Sequence, residues 1–233
     1  MTMLDKKCSS IGKKFLMALS GAILFAFILG HLAGNLLIFC GPNALNSYAK
    51  KLLSLGPGLW AIRIFLITVI FTHIFTSIKV SLENKSARPV PYQHRPAYEQ
   101  SSYASRTMMA SGIILVAFII YHLLHFTFRI TNPDISHMED AFGRHDVYSM
   151  VVLSFQDGLV ASSYVIAMAL LCMHLSHGIA SMFQTLGLTD EKKLRCLQRA
   201  GRAFAFVLFL GYASIPLAVS LGFLTVSAPG GIV

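Results

Sequence analysis

The chain has 233 residues, of which 55% are hydrophobic and only 12% are charged. Average soluble domains carry about 25% charged residues, so this composition excludes an ordinary water-soluble enzyme. Intrinsic disorder is excluded as well, because disordered chains combine low hydrophobicity with high net charge. The four cysteines have unrelated spacings, which argues against a disulfide scaffold. The class that remains is an all-α protein that crosses a membrane several times.

Five apolar stretches are long enough to cross a bilayer, since a spanning helix needs about 20 mostly apolar residues. In chain order they cover residues 15–39, 59–78, 108–128, 151–183 and 203–226. We therefore predict an integral membrane bundle of five helices that forms a single domain over residues 1–226. We expect residues 227–233 to be a mobile tail, and we expect no internal repeat beyond recurring His-Leu dipeptides.

The net charge of +9 indicates how the helices are oriented in the bilayer. Sorting the loops between the five stretches puts 14 of the 19 Lys and Arg residues on one side. Positive residues accumulate on the cytoplasmic side of membrane proteins, so the N-terminus is expected in the cytoplasm and the C-terminus outside. Nucleic-acid binding is not expected, because no basic stripe interleaves with exposed aromatic residues.

Histidines are the chemically informative residues of this chain. Ionisable side chains inside membrane helices are rare, face the bundle interior and usually mark function. One such histidine often does no more than bond to a neighbouring helix, whereas contributions from four helices favour a ligand set. Six of the nine histidines fall inside the predicted spans or at their edges: His31, His73, His122, His125, His174 and His177.

The depth of these histidines predicts two pairs, because a helix rises 1.5 Å per residue. His31 and His122 lie 17 and 16 residues beyond the preceding cytoplasmic cation, about 25 Å from that edge. His73 lies six residues before the next lysine, about 9 Å from the same edge. His174 lies 17 residues beyond Asp157, about 25 Å from the opposite edge. We therefore expect His31 level with His122 and His73 level with His174, on the order of 15 Å apart in height.

Two imidazoles that face each other across a bundle core suit a planar cofactor held between helices, which is bis-histidine ligation of haem b at two places. Zinc would require four clustered ligands, usually with thiolates. A proton relay would require Asp or Glu at mid-membrane, and the core of no span contains one. We therefore predict two haem b groups.

The choice of ligand within the third and fourth helices stays open at this point. His125 and His177 each follow a candidate by three residues, and residues three apart share a helix face only loosely. The histidine that does not bind iron is a candidate for bonding the haem propionates, as is Arg129.

Small and polar residues around the first histidine fit close packing. Gly30 and Gly34 flank His31, and Gly21 lies further down the same helix; glycines allow close approach of a helix or of a porphyrin. Asn35 is placed either to hydrogen-bond near the cofactor or to cap backbone groups at the interface.

Five segments carry a resemblance to a known family. They are SG at 20–21, HLAGNL at 31–36, NALNSY at 43–48, YHLLHFT at 121–127 and HLSHGIASMFQTLG at 174–187. In these segments, and over nearly its whole length, the chain resembles the cytochrome b558-type membrane anchor of succinate dehydrogenase and fumarate reductase.

The resemblance implies a single five-helix polypeptide with two haem b groups. By motif, the axial ligands fall on His31 and His122 for the outer haem and on His73 and His174 for the inner haem; the match at His73 rests mainly on position. This assignment selects the earlier histidine of each ambiguous pair.

The resemblance also implies partners. A flavoprotein subunit with covalent FAD and an iron–sulfur subunit would dock on the cytoplasmic face of a bacterial cytoplasmic membrane, and the whole complex would be able to form a dimer. Electrons would pass between the iron–sulfur subunit and a membrane quinone, expected to be menaquinone, by way of the two haems. The chain alone would catalyse nothing.

Two alternatives remain. One is a dihaem anchor of another quinone-linked oxidoreductase, such as a hydrogenase or formate dehydrogenase, with different soluble partners. The other is a haem-free transport or assembly protein in which the histidines serve only in packing.

Overall fold

A computed structural model describes residues 9–87 and 102–226 of the chain. The described residues form helices and connecting loops without a β-strand, apart from one isolated bridge between Glu139 and His145. The helices are α1 (Ser10–Asn35), α2 (Pro42–Leu53), α3 (Pro57–Ser86), α4 (Tyr103–Arg106), α5 (Met108–His122), α6 (Val147–Gln156), α7 (Gly158–Thr185) and α8 (Glu191–Ser220). Short 3-10 segments cover Leu36–Cys40 and Pro133–Ile135, and a π-turn, Leu123–Thr127, follows α5.

Five of the helical segments are long and apolar enough to span a membrane, which confirms the prediction of an all-α, multi-pass membrane protein. They are Ser10–Cys40, Pro57–Ser86, Met108–Thr127, Gly158–Thr185 and Lys192–Ser220. Many large apolar side chains on them are exposed, such as Phe71 at 69%. So much exposed apolar surface would cause aggregation in water and is suited to contact with lipid.

The fourth predicted span, 151–183, is divided in the structure near Asp157, the residue from which the outer edge was measured. The chain forms two helices there, α6 and α7, which are separated at Asp157, where the backbone is extended with ψ 114°. The Asp157 carboxylate accepts hydrogen bonds from the backbone N–H groups of Leu159 and Val160 at 2.8 and 3.3 Å and so caps the start of α7. An N-terminal cap of this kind satisfies amides that have no partner within the helix, which is why the new helix begins at this residue.

Other bounds also differ from the prediction. Helix α3 continues eight residues past the expected end at 78, and α8 ends at Ser220 rather than at 226. Helix α2 lies in a stretch to which the sequence analysis assigned no helix. Pro42 occupies its first turn, where the missing N–H group of proline costs no helical hydrogen bond. The expected tail, 227–233, lies outside the described residues.

Contacts between residues divide the chain into two compact units. The described residues of Met1–Ile28, Ala61–Ile113 and Leu171–Phe206 form unit 1, and those of Leu29–Trp60, Ile114–Leu170 and Val207–Val233 form unit 2. Each spanning helix contributes residues to both units, so the boundaries fall within helices rather than in linkers. His73 and His174 belong to unit 1, whereas His31 and His122 belong to unit 2.

A buried asparagine holds the polar loop of unit 2 together. Asn46 of α2 is 1% exposed, and its side-chain amide donates to Asp140 Oδ2 at 3.2 Å and to Asp146 Oδ1 at 3.0 Å. Its own oxygen accepts the backbone N–H of Tyr148 at 3.0 Å. One side chain therefore joins α2, the loop and the start of α6.

The carboxylate of Asp140 is the acceptor at the centre of this loop. Partial burial raises the pKa of Asp140, but hydrogen bonds from the backbone and side chain of Arg144, from the Phe142 backbone and from Asn46 outweigh burial and lower the pKa to about 2. Because this value is below the ordinary 3.8, the ionised carboxylate stabilises the loop above that pH, and the contribution is lost as the pH falls towards 2.

Replacing Asn46 with alanine is expected to destabilise the protein. The change leaves the buried backbone N–H of Tyr148 without its acceptor and removes one donor each from Asp140 and Asp146, and a buried polar group without a partner costs roughly 1–3 kcal/mol. For a chain of this size we expect a melting temperature lower by about 2–4 °C per kcal/mol, measured by thermal unfolding of the purified protein in detergent.

Asn43→Ala is the matched control, because Asn43 lies in the same helix but is exposed and bonds only at the surface, to Arg144 and Ser47. Equal melting temperatures for the two variants would contradict a structural role for Asn46.

Candidate cofactor site

The first pair of histidines joins α3 and α7. The ring centroids of His73 and His174 are 6.5 Å apart, with the ring planes at 67°. The pairing predicted from depth is therefore the pairing in the structure. It is made by His174 and not by His177, three residues further along, for which the described residues show no ring contact.

Helix α1 determines which ring nitrogen of His73 carries the proton. Nδ1 lies 3.1 Å from the Met17 carbonyl oxygen and 3.3 Å from Ser20 Oγ. A carbonyl oxygen can only accept, so Nδ1 carries the proton and donates it. Nε2 of His73 therefore keeps its lone pair, which is the state that a metal ligand needs.

Helix α5 provides a hydrogen-bond partner for Nδ1 of His174 in the same way. Nδ1 of His174 lies 3.3 Å from Ser111 Oγ, and that hydroxyl donates its own proton to the Met108 carbonyl at 3.1 Å. With that proton on the carbonyl, the serine oxygen accepts from Nδ1–H, and in this tautomer Nε2 of His174 keeps its lone pair. Both serines are buried, at 5% for Ser20 and 2% for Ser111, so neither bond competes with water.

A glycine lies against each ring of this pair. A Cβ atom on Gly21 would come within 3.3 Å of His73 Cε1, and one on Gly112 would come within 3.6 Å of His174 Cε1. The first approach is tighter than most real Cβ contacts, and the second is an ordinary van der Waals contact. Gly21, which the sequence analysis associated with close packing, therefore provides space for the opposite histidine.

The second pair joins α1 and α5. The ring centroids of His31 and His122 are 5.8 Å apart, and the planes meet at 83°. Phe118 stacks on His122 at 5.9 Å, and the Tyr212 ring lies 6.3 Å from His31. This pairing also agrees with the one predicted from depth.

His125 is occupied by hydrogen bonds, which bears on the open choice in the third helix. The π-turn after α5 buries this side chain to 1% exposure. Its Nδ1 lies 3.0 Å from the Tyr164 hydroxyl, and its Nε2 lies 3.1 Å from Ser154 Oγ and 3.2 Å from Asn132 Nδ2. With both nitrogens engaged, His125 has no lone pair to offer a metal, and His122 is the ring that faces His31.

Tyr164 is a residue that the sequence analysis missed. Its hydroxyl contacts His125 and also lies 3.4 Å from Nδ1 of His122, so one phenol joins both histidines of the third span. A tyrosine in an apolar helix carries no signal of its own in the sequence. The contact depends on how α7 is rotated relative to α5.

The small and polar residues near His31 have separate roles. A Cβ atom on Gly34 would clash with the Tyr48 hydroxyl at 2.6 Å and with its ring at 2.7 Å, so this glycine serves the packing of α2. A Cβ atom on Gly30 would meet nothing within 4 Å. Asn35 donates to the His31 carbonyl at 2.6 Å and therefore caps the backbone. Arg129, a candidate for propionate binding, donates to the Ser136 carbonyl at 3.2 Å and also contacts His145.

The two pairs fit bis-histidine ligation of a haem. Two imidazoles bound to one metal ion at about 2 Å each would have ring centroids roughly 6 Å apart. The observed separations of 5.8 and 6.5 Å lie on either side of this value. Within the described residues no group of three or more His, Cys, Asp or Glu side chains is placed to hold a metal ion, so a zinc-type cluster finds no support there. Whether the four histidines bind iron stays a prediction.

Comparisons with protein-family models, with curated proteins and with solved structures found no match for this chain. The likeness to the cytochrome b558-type anchors therefore remains a resemblance of motifs.

Proposed function

We propose that this chain is the dihaem cytochrome b subunit that anchors a succinate:quinone oxidoreductase to the membrane and passes electrons between its iron–sulfur subunit and a quinone. The observation that carries the proposal is the presence of two imidazole pairs, each formed by two spanning helices at a separation that suits one iron between them. When bound, the two haem irons supply one-electron redox centres within the bilayer.

The residues of this chain have three tasks in that function. The helices bring His31 to His122 and His73 to His174. Hydroxyl and carbonyl oxygens lie within hydrogen-bond distance of Nδ1 of three of these rings, and a ring that donates from Nδ1 offers Nε2 to the metal. The apolar surroundings exclude water from the pairs, and over residues 9–87 and 102–226 they contribute no buried carboxylate whose charge would have to be compensated.

The resemblance and the positive-inside charge pattern support the remaining parts of the proposal. With the N-terminus in the cytoplasm of a bacterium, a flavoprotein with covalent FAD and an iron–sulfur subunit would dock beside the His73–His174 pair. Menaquinone would react at the side of the His31–His122 pair. A dihaem anchor of a hydrogenase or formate dehydrogenase would share the haems and differ in these partners, so co-purification of the native complex distinguishes the two.

The first test is the reduced-minus-oxidised difference spectrum of the purified protein. We expect b-type bands from two haems, and we expect His31→Ala or His122→Ala to remove one haem and to retain the other. His177→Ala is the control, since this residue lies in the same helix as His174 but outside the ring pair; both haems should remain.

A protein without b-type bands would exclude the proposal in favour of a haem-free transport or assembly protein. Loss of one haem in His177→Ala, or of neither haem in His122→Ala, would show that the ligands are assigned wrongly.

A second test uses the membrane potential. An electron that moves from the cytoplasmic side to a quinone site near the outer side gains about 2.3 kcal/mol per 100 mV. In sealed, energised vesicles an uncoupler is therefore expected to slow electron transfer from succinate to menaquinone, measured as the rate of quinone reduction. An unchanged rate would argue against an outer quinone site; detergent-solubilised complex, which holds no potential, is the control.

A further inference from the structure

Helices α1 and α5 contain an internal repeat, contrary to the expectation from the sequence analysis. Residues 20–31 read SGAILFAFILGH and residues 111–122 read SGIILVAFIIYH, so eight of the twelve positions are identical. Both segments begin with Ser-Gly and end with the histidine of the His31–His122 pair.

The spacing within the repeat gives each of the two helices two functions. The serine and the histidine are eleven residues apart, which is about three turns, so that both lie on one face of an α-helix. The histidine at the end of the repeat joins one imidazole pair. The Ser-Gly at its start contacts a ring of the other pair: Ser20 and Gly21 contact His73, and Ser111 and Gly112 contact His174.

The two Ser-Gly contacts match in chemistry. Each serine hydroxyl donates to a carbonyl of its own helix, at 2.7 Å from Ser20 to Leu16 and at 3.1 Å from Ser111 to Met108. Each serine oxygen then lies 3.3 Å from Nδ1 of the opposite histidine, where it can accept Nδ1–H while its own proton is on the carbonyl. Serines that bond their own helix are common in apolar helices. A coincidence of that kind would not place both of these serines on Nδ1 of the same ring pair, each followed by a glycine against Cε1.

We propose that the Ser-Gly dipeptides 20–21 and 111–112 are positioning residues for His73 and His174. The serine oxygens accept Nδ1–H, orient Nε2 of the two rings towards the space between them and increase the electron-donating strength of both imidazoles. The glycines provide the space in which the rings adopt this orientation. The inference rests on the proposed function, because the consequence that can be measured is the redox potential of the haem held by this pair.

The structure predicts unequal effects for the two serines. Nδ1 of His73 keeps the Met17 carbonyl as an acceptor when Ser20 is lost. For His174, Ser111 is the only acceptor that the described residues place within hydrogen-bond distance of Nδ1. Ser111 is therefore the more important of the two.

The experiment is a redox titration of the purified protein, followed at the b-type bands and by electron paramagnetic resonance of the oxidised haems. In Ser111→Ala the component that survives in His122→Ala is expected to shift to a higher midpoint potential, since an imidazole without an acceptor at Nδ1 is a weaker donor to ferric iron. Ser20→Ala is expected to give a smaller shift in the same direction. The component that is lost in His122→Ala should be unchanged in both variants.

Ser214→Ala is the matched control. The Ser214 hydroxyl makes the same bond to its own helix, to the Gly211 carbonyl at 2.7 Å, and the described residues show no contact of this serine with an imidazole. Two glycine variants give an independent measurement. Gly21→Ala should alter the electron paramagnetic resonance spectrum of the haem held by His73 and His174 more than Gly112→Ala does, because its Cβ would lie closer to the ring.

Outcomes of this experiment separate the two proposals. Two b haems in the wild type with unchanged potentials in Ser111→Ala would overturn the positioning role and leave the proposed function intact. Equal shifts of both haems, or a shift as large in Ser214→Ala, would also overturn it. A wild-type protein without haem would overturn the proposed function itself.

Discussion

The arrangement of this protein depends on one constraint. An imidazole buried in an apolar helix bundle has two ring nitrogens, and because no water is there to bond them, each needs a partner from the protein or from a bound group. Leaving a polar group unpaired in such a place costs several kcal/mol. In His73 and His174 the partner of Nδ1 is a backbone carbonyl or a serine oxygen, and the Ser111 hydroxyl directs its own proton to the Met108 carbonyl. When Nδ1 donates to these acceptors, the lone pair of Nε2 remains available.

The same constraint distinguishes His125 from His122. Both ring nitrogens of His125 are hydrogen-bonded to protein groups. In His122, by contrast, Nδ1 faces the Tyr164 hydroxyl and the ring faces His31. The break at Asp157 contributes to this difference, because it ends α6 and starts α7, the helices that carry Ser154 and Tyr164. The cap made by the Asp157 side chain thus lies between the two residues, Ser154 and Tyr164, that hydrogen-bond the buried His125.

Serine hydroxyl groups and glycines orient the imidazoles here, a task that carboxylates perform in many soluble cofactor sites. A carboxylate beside an imidazole would add a charge that an apolar bundle can compensate only at high cost. A serine bonded to its own helix adds no charge and occupies little volume, and a glycine next to it lets a ring approach the backbone. The repeat in α1 and α5 uses this combination twice, so that both histidines of one pair have similar surroundings.

Much of the fold could be predicted from the sequence because it depends on sums over many residues. Mean hydropathy over about 20 residues places the five spans, and the constant rise of a helix places the histidines at two depths, so that the partners His31–His122 and His73–His174 follow without any knowledge of contacts. The sequence also contained the repeat of 20–31 in 111–122, which becomes meaningful only when its two serines are found on the same ring pair.

The tertiary structure decided what depends on the rotation of one helix against another. Residues three apart, such as His122 and His125, differ little in hydropathy or depth, and only the packed neighbours show which nitrogen is occupied. The division at Asp157 likewise depends on one side chain capping two amides: the sequence marks this residue as the outer edge of a span, and only the structure shows a separate helix before it. By itself, the sequence determined how many helices are long and apolar enough to cross a membrane, and it predicted which histidines lie level with one another. The tertiary structure decided which ring nitrogens of His73, His125 and His174 are hydrogen-bonded, because hydrogen bonds are directional and local whereas hydrophobic burial is neither.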